Sequence, residues 1–479
     1  MRQDGPIVRL LLLTIALTLA LPPLQAAARD EVAPADVGTV RNDTLLVTRG
    51  SVVQAALARN EMLQASGAMT DAAEAQALGA WTGFLPRLSL GAYQIRSTDA
   101  LYGFGFKLNQ RRATQADFSA PPMEGMPAPD PFGDALNHPG PSENNIMQVK
   151  LQQPVFNGGM ALYGKKAADA MADAARSQHR RAEETVELHA VQAYEGLVLA
   201  TAYERVMTEA LATADAHVAQ AQAMVDNEMV VEADLLQAKV YRDALAQRLI
   251  EVRNMVRTAG EHIKLLTALD TDLPIRADDD GAAPAAAAAD LQGVARRSDL
   301  EASAKQAQAA ADMARSKRGA MVPHLNLQAE KNWYHRDDLF GNEADAWTFG
   351  VYATWDVFSG LQNIGAYKQA RAESRAASWM HDFQSRQART EAVQAGFELD
   401  AARERLAVAR DAVTAAREGL RIVTSMHREG LASMVDLLDV QAAATMAEGN
   451  LVQARHDVRV GLAKFVFAGG RLTGAPEQE

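Results

Sequence analysis

The chain has 479 residues, a net charge of −12, no cysteine and only 6% aromatic residues. Its basic residues are scattered, which excludes a nucleic-acid role built on a basic stripe, and the missing thiols exclude disulfides and a lipidated N-terminal cysteine. Ala-rich, helix-favouring composition with so few aromatics points to slender packing instead of a broad globular core.

In chain order, Arg2 and Arg9 precede an apolar run from Leu10 to Leu21, and Pro22-Pro23 leads to Ala26-Ala27-Ala28. This predicts a secretory signal peptide over 1–28, with an apolar run too short to span a bilayer. An N-terminal segment follows over 29–50. A first structural repeat covers 51–272: a helix over 51–82, strands over 86–97 and 144–156 that form a β-hairpin (86–156), a long helix over 159–225, a tip at 226–231 and a helix over 232–269. The Pro/Gly-rich stretch 104–140 inside that hairpin reads as a loop. Residues 273–290, with DDDGAAPAAAAAD, read as a linker. The second repeat covers 291–468, with helices over 292–319, 360–428 and 433–467, a β-hairpin over 323–358 with strands at 323–334 and 346–358, and a tip at 428–433. A tail over 469–479 ends the chain.

The two repeats are copies. Asp234 in VEADLLQAK faces Asp436 in SMVDLLDVQ at an offset of 202 (436 minus 234), and QPVFNG from Gln153 faces WDVFSG from Trp355 at the same offset. Pro86 faces Pro323 at 237, so the first copy holds 35 extra residues (237 minus 202), which the loop 104–140 absorbs. Each long helix, at about 67 residues, is a rod of roughly 100 Å. Leu399, Leu406, Val413 and Leu420, with Ala402, Ala409, Ala416 and Val423, form a coiled-coil seam. The same seam recurs in the first copy, apart from Glu204.

The strands alternate with period two. Trp347, Phe349, Val351 and Trp355 share one side of the last strand, Met147, Val149 and Leu151 one side of the second, and Leu325 and Leu327 one side of the third. One apolar and one polar face suit a membrane barrel with lipid outside and water inside. Four strands cannot close a barrel, and lipid does not tolerate an open sheet edge. Several chains must therefore share one: two would give eight strands, three would give twelve and a channel.

Together, in order and duplicated, GFLPRLSL and AMVPHLNL, QPVFNGG and WDVFSG, ARRSDLEA (Ala295 to Ala302) and the two turns before EADLLQAK and MVDLLDVQ resemble the TolC family of outer-membrane efflux ducts. The resemblance spans essentially the whole mature chain. It implies a mainly α protein with a β-barrel portion: a homotrimer whose twelve-stranded barrel, four strands per chain, sits in outer-membrane lipid and continues as a periplasmic coiled-coil tunnel. A periplasmic adaptor and an inner-membrane pump are the implied partners. Within this frame the tips are adaptor-docking surfaces: Asp226, Asn227, Glu228, Met229 and Val230 in the first, and Arg428, Gly430, Leu431, Ser433 and Met434 in the second. The first tip lacks the glycine that the second keeps as Gly430. Asp436 and Asp439 match positions of an acidic ring around the periplasmic entrance, Asp234 adds to the closure, and His427 and Ala432 stand where the family has tyrosine and arginine lock partners.

The expected function is an exit duct that passively conducts small molecules in a tripartite efflux system. The alternatives are the exit duct of a type I protein secretion system and, in another class, a non-conducting envelope spacer. No HExxH pair or Gly-rich phosphate loop is present, so no catalytic residue, cofactor or metal is expected.

Overall fold

The duplication read from sequence governs the fold. The computed structural model describes residues 37–114, 140–228, 230–278, 291–342 and 344–470. In chain order the elements are β1 (Thr39–Arg41), β2 (Thr44–Val47), α1 (Arg49–Arg59), α2 (Glu61–Gly79), β3 (Arg87–Ser97), α3 (Ala100–Asn109), β4 (Ser142–Phe156), α4 (Met160–Asp226), α5 (Glu232–Thr267), β5 (Ile275–Ala277), α6 (Ser298–Arg318), β6 (His324–His335), β7 (Ala344–Thr354), α7 (Gln362–Arg428) and α8 (Met434–Ala468). Helices α4 and α7 both hold 67 residues, and both of their ends are related by 202. The expected signal peptide, most of the tail and the Pro/Gly-rich run from 115 to 139 lie outside the described residues.

The chain divides into two compact units. One comprises Ala75–Asp169 and Gln308–Arg375 and carries a four-stranded antiparallel sheet in the order β3-β4-β6-β7. Two expectations change here. Part of the expected loop is helical, since Asp99 caps α3 by accepting from the Tyr102 amide at 3.0 Å. The last strand stops at Thr354, so Trp355 lies past its end, where the indole N–H donates to the Met321 carbonyl at 3.1 Å.

The other unit, Asp30–Glu74, Ala170–Ala307 and Ala376–Glu479, holds the helical seams. Leu399, Ala402, Ala409 and Val413 are buried as the heptads require, and so are Leu197, Ala200, Met207, Ala214 and Ala221 in the first copy. Glu204, the polar intruder, is taken up by Arg276 and by Arg253 at 3.4 Å. The hydrogen bond from Arg276 holds its carboxyl below the usual carboxylate range. The motif ARRSDLEA closes a polar knot. Buried Arg297 donates to Asp299 at 3.0 and 2.7 Å and to Glu391 at 2.9 Å, while Ser298 donates to Glu184 at 2.7 Å.

Three details depart from the sequence reading. The expected helix over 51–82 breaks at Asn60, whose side-chain amide donates to the Leu266 carbonyl and whose Oδ1 accepts from the Met62 amide. Inside the expected linker, β5 pairs in parallel with β2. The N-terminal segment folds as the hairpin β1–β2 over Asn42 and Asp43, both at positive φ, with Leu45 and Val47 in the core.

Candidate functional sites: the strand face and the hairpin tips

Register decides whether the four strands really have two faces, because directly opposed residues point the same way. Leu88 faces Leu151 and Leu90 faces Val149; Leu151 faces Ala329, which faces Phe349; Leu327 faces Val351. The apolar residues thus fall on one side of the sheet. On the other side Gln152 donates to Gln328 at 3.1 Å and Lys150 pairs with Glu330 at 3.3 Å. The apolar face stands open in the single chain: Trp347 and Phe349 are each 73% exposed and Val351 60%. Val149, Leu325 and Leu327 are half-buried. Met147 is the correction: it shares the face but is only 7% exposed, opposite Trp333.

Lys331 is the one Lys or Arg on that face in β6, near the end where β6 turns towards β7. Its ammonium lies 4.8 Å from the centre of the Trp347 ring and 5.6 Å from that of Trp333, and it contacts Asp345. A lysine held between two tryptophans at the rim of an apolar band is the chemistry of a membrane–water interface. Among the described residues no helix is long and apolar enough to cross a membrane.

The tips belong to the other unit. At the second, Gly430 adopts φ +72° and lets Leu431 N–H return to the Met426 carbonyl at 2.9 Å. Ser433 caps α8 in a reciprocal box: its Oγ accepts from the Asp436 amide at 3.1 Å, and the Asp436 carboxylate accepts from the Ser433 amide at 3.0 Å and from its hydroxyl at 2.7 Å. Those Ser433 hydrogen bonds hold the Asp436 carboxyl below the usual range. Asp436 and Asp439 are exposed and one turn apart, as expected. Leu431 is 69% exposed. Met434, expected on the docking surface, is instead buried among Leu437, Leu438, Leu235 and Ala238.

His427 braces this turn from inside. It is 6% exposed, its Nδ1 lies 3.0 Å from the Ala432 carbonyl, and its Nε2 has no hydrogen-bond partner. Burial, and secondarily the nearby His427, hold the imidazole of His217 on α4 below its ordinary range.

At the first tip Asp226 accepts from Gln222 at 2.9 Å and Asn227 donates to the Ala223 carbonyl at 2.6 Å. Glu228 takes the positive φ, +59°, at the position 202 before Gly430. Val231 is the residue before α5 and offers no side-chain cap, so Asp234 has no counterpart of the Ser433 box. Val230 is half-buried, and Met229 lies outside the described residues.

Known proteins share this arrangement. Residues 292–470 match the family model described as outer membrane efflux protein. The curated outer membrane efflux protein BepC of Brucella suis is 25% identical over 338 residues, 68% of this chain and 72% of its own length. Residues 292–470 thus carry the outer membrane efflux protein domain, and the chain resembles the TolC-like efflux ducts. Its fold matches the outer-membrane channel OprN with a TM-score of 0.76 at 18% identity, covering 88% of this chain and 89% of that one. It also matches the CmeC outer membrane channel of Campylobacter jejuni at 0.75 and 17% identity, covering 89% and 87%. The chain accordingly has the fold of outer-membrane channels and is placed in the outer membrane, extending into the periplasm, and the family and fold it resembles are not those of enzymes.

Proposed function

We propose that three copies of this chain assemble into one exit duct for small molecules, coupled through a periplasmic adaptor to an inner-membrane pump. The observation that carries this reading is the sheet. β3 and β7 each keep an edge without a strand partner among the described residues, and the face between them is apolar and open. In lipid such edges need partners, and four strands from each of three chains supply a closed ring of twelve. The tips, with Arg428, Gly430, Leu431 and Ser433 in one and Asp226, Asn227, Glu228 and Val230 in the other, form the adaptor-docking surface. Asp436 and Asp439 of three chains place six carboxylates at the periplasmic entrance, where crowding of like charge attracts cations.

Two measurements test this reading. Mass determination of the detergent-solubilised protein should give three copies, and a stable, fully helical monomer would sink the assembly. Single-channel recording of Asp436→Ala with Asp439→Ala should show weakened cation selectivity and weakened block by multivalent cations. Unchanged selectivity would remove the acidic entrance.

A further inference from the structure

The β3–β4 connection differs from its copy between β6 and β7 by carrying α3. That helix has three distinct sides. Gly103, Phe106 and Gln110, spaced by three and four, are buried. They face the loop ends of the strands, for α3 packs on β4 and β7. Gln110 donates to the Glu143 carbonyl at 2.8 Å and to Asn144 at 3.0 Å, and Arg111 donates to the Asp345 carbonyl and carboxylate at 3.0 and 3.1 Å. The opposite side is apolar and open: Leu101 is 81% exposed, and Leu108, two turns on, is 49% exposed. Lys107, Arg111 and Arg112 are exposed basic residues at the helix end, against a single acidic residue, Asp99, at its start. In a chain of net charge −12 this helix end gathers three basic residues, of which Arg111 is paired with Asp345.

Its position is fixed by topology. The other ends of the same four strands join α2, α4, α6 and α7, so α3 lies at the opposite end of the sheet from those helices, which on the proposed function is the end towards the cell exterior. Arg111 shares Asp345 with Lys331, the lysine held between Trp333 and Trp347. The end of α3 is therefore anchored at the rim of the sheet, by Arg111 to Asp345 on the apolar side and by Gln110 to Asn144 on the polar side. An amphipathic helix at that depth, with open leucines and a basic terminus, has the pattern that lies in a lipid interface and favours anionic headgroups.

We propose that α3 is an interfacial helix that beds Leu101 and Leu108 into the outer leaflet and sets Lys107 and Arg112 against anionic lipid headgroups. The proposal rests on the reading that the apolar strand face meets lipid. The natural absence of cysteine makes the test direct. Single cysteines at Leu101→Cys, Leu108→Cys, Phe349→Cys and Asp337→Cys are labelled with a polarity-sensitive fluorophore in the full-length protein, reconstituted in liposomes of acyl-brominated phosphatidylglycerol. Labels at 101 and 108 should be quenched about twofold or more beyond the label at 337, which reports the exposed turn. Adding Lys107→Gln with Arg112→Gln should reduce that quenching in brominated phosphatidylglycerol but not in brominated phosphatidylcholine. If 101 and 108 are instead quenched by aqueous iodide like 337, while 349 is quenched by lipid, the interfacial helix is overturned and the strand reading stands. If the charge substitutions act equally in both lipids, the headgroup assignment is overturned. Failure at 349 itself sinks the strand reading first.

Discussion

At the first tip Glu228 holds the left-handed conformation that Gly430 holds at the second. Val231 stands uncapped where Ser433 and Asp436 bond each other reciprocally, and only the second turn has a buried histidine beneath it. The two hairpins descend from one pattern, and their long helices have kept the same length, yet their turns differ in three separate local terms. A left-handed non-glycine residue strains the backbone, and a missing cap leaves helix-start amides to water. The second tip is the stiffer by construction. The same difference separates the carboxylates: Asp436 is engaged in its cap, while Asp234 is not.

The largest effect expected from erasing this difference is at Gly430. A Cβ there meets nothing within 4 Å, so Gly430→Ala isolates the backbone strain. It should cost about 1–2 kcal/mol of local stability, read by hydrogen exchange in peptides covering 424–440. Ser433→Ala should cost about 1 kcal/mol and return the Asp436 carboxyl towards its ordinary range, followed by NMR titration. Unchanged exchange rates would show that the box is idle. The converse change at the first tip is smaller. Glu228→Gly removes the strain but adds glycine's freedom in the unfolded chain, for a net gain of about 0.5 kcal/mol. The smallest effect is pH dependence, in two windows. His217 has a depressed pKa, so its neutral form belongs to the folded tip; stability is full above about pH 6.5 and falls as pH drops below it. Asp436 is depressed too, so its contribution is present above about pH 4 and lost below. His217→Gln should abolish the first window and leave the second, measured as tip exchange between pH 8 and 3.

Long-period features were legible in the sequence, and short ones were not. The rods expected at 159–225 and 360–428 are found at Met160–Asp226 and Gln362–Arg428, because a heptad seam repeated over many turns leaves little freedom. The two-faced sheet was legible for the same reason. Strand β5 was not, since three residues give alternation no room to register. Helix α3 hid behind Gly103 and Gly105, which lower helix propensity in a stretch that turns Pro/Gly-rich. The hairpin over Asn42 and Asp43 did carry a signal, two residues that tolerate positive φ between β-forming runs. So did the cap: Ser433-Met434-Val435-Asp436 has the spacing of a capping box, which marks Asp436 as a bonded group and turns Met434 inward. The break at Asn60 carried only a faint signal, an asparagine that can start a helix ahead of Glu61, and it is fixed by a tertiary bond to Leu266 that the sequence does not show.

The matched lengths of α4 and α7 constrain how such a chain can change. Deleting one residue from α7 between Ala376 and Leu399 turns every later side chain by about 100°. Leu399, Ala402, Ala409 and Val413 would leave the seam together, and polar neighbours would take their places. Loss of a whole heptad restores the seam but shortens the rod by about 10 Å. Its 67-residue counterpart would then be too long by two turns. Drift in length is therefore quantised in sevens and coupled between the copies, so insertions accumulate where no seam runs, as in the β3–β4 connection.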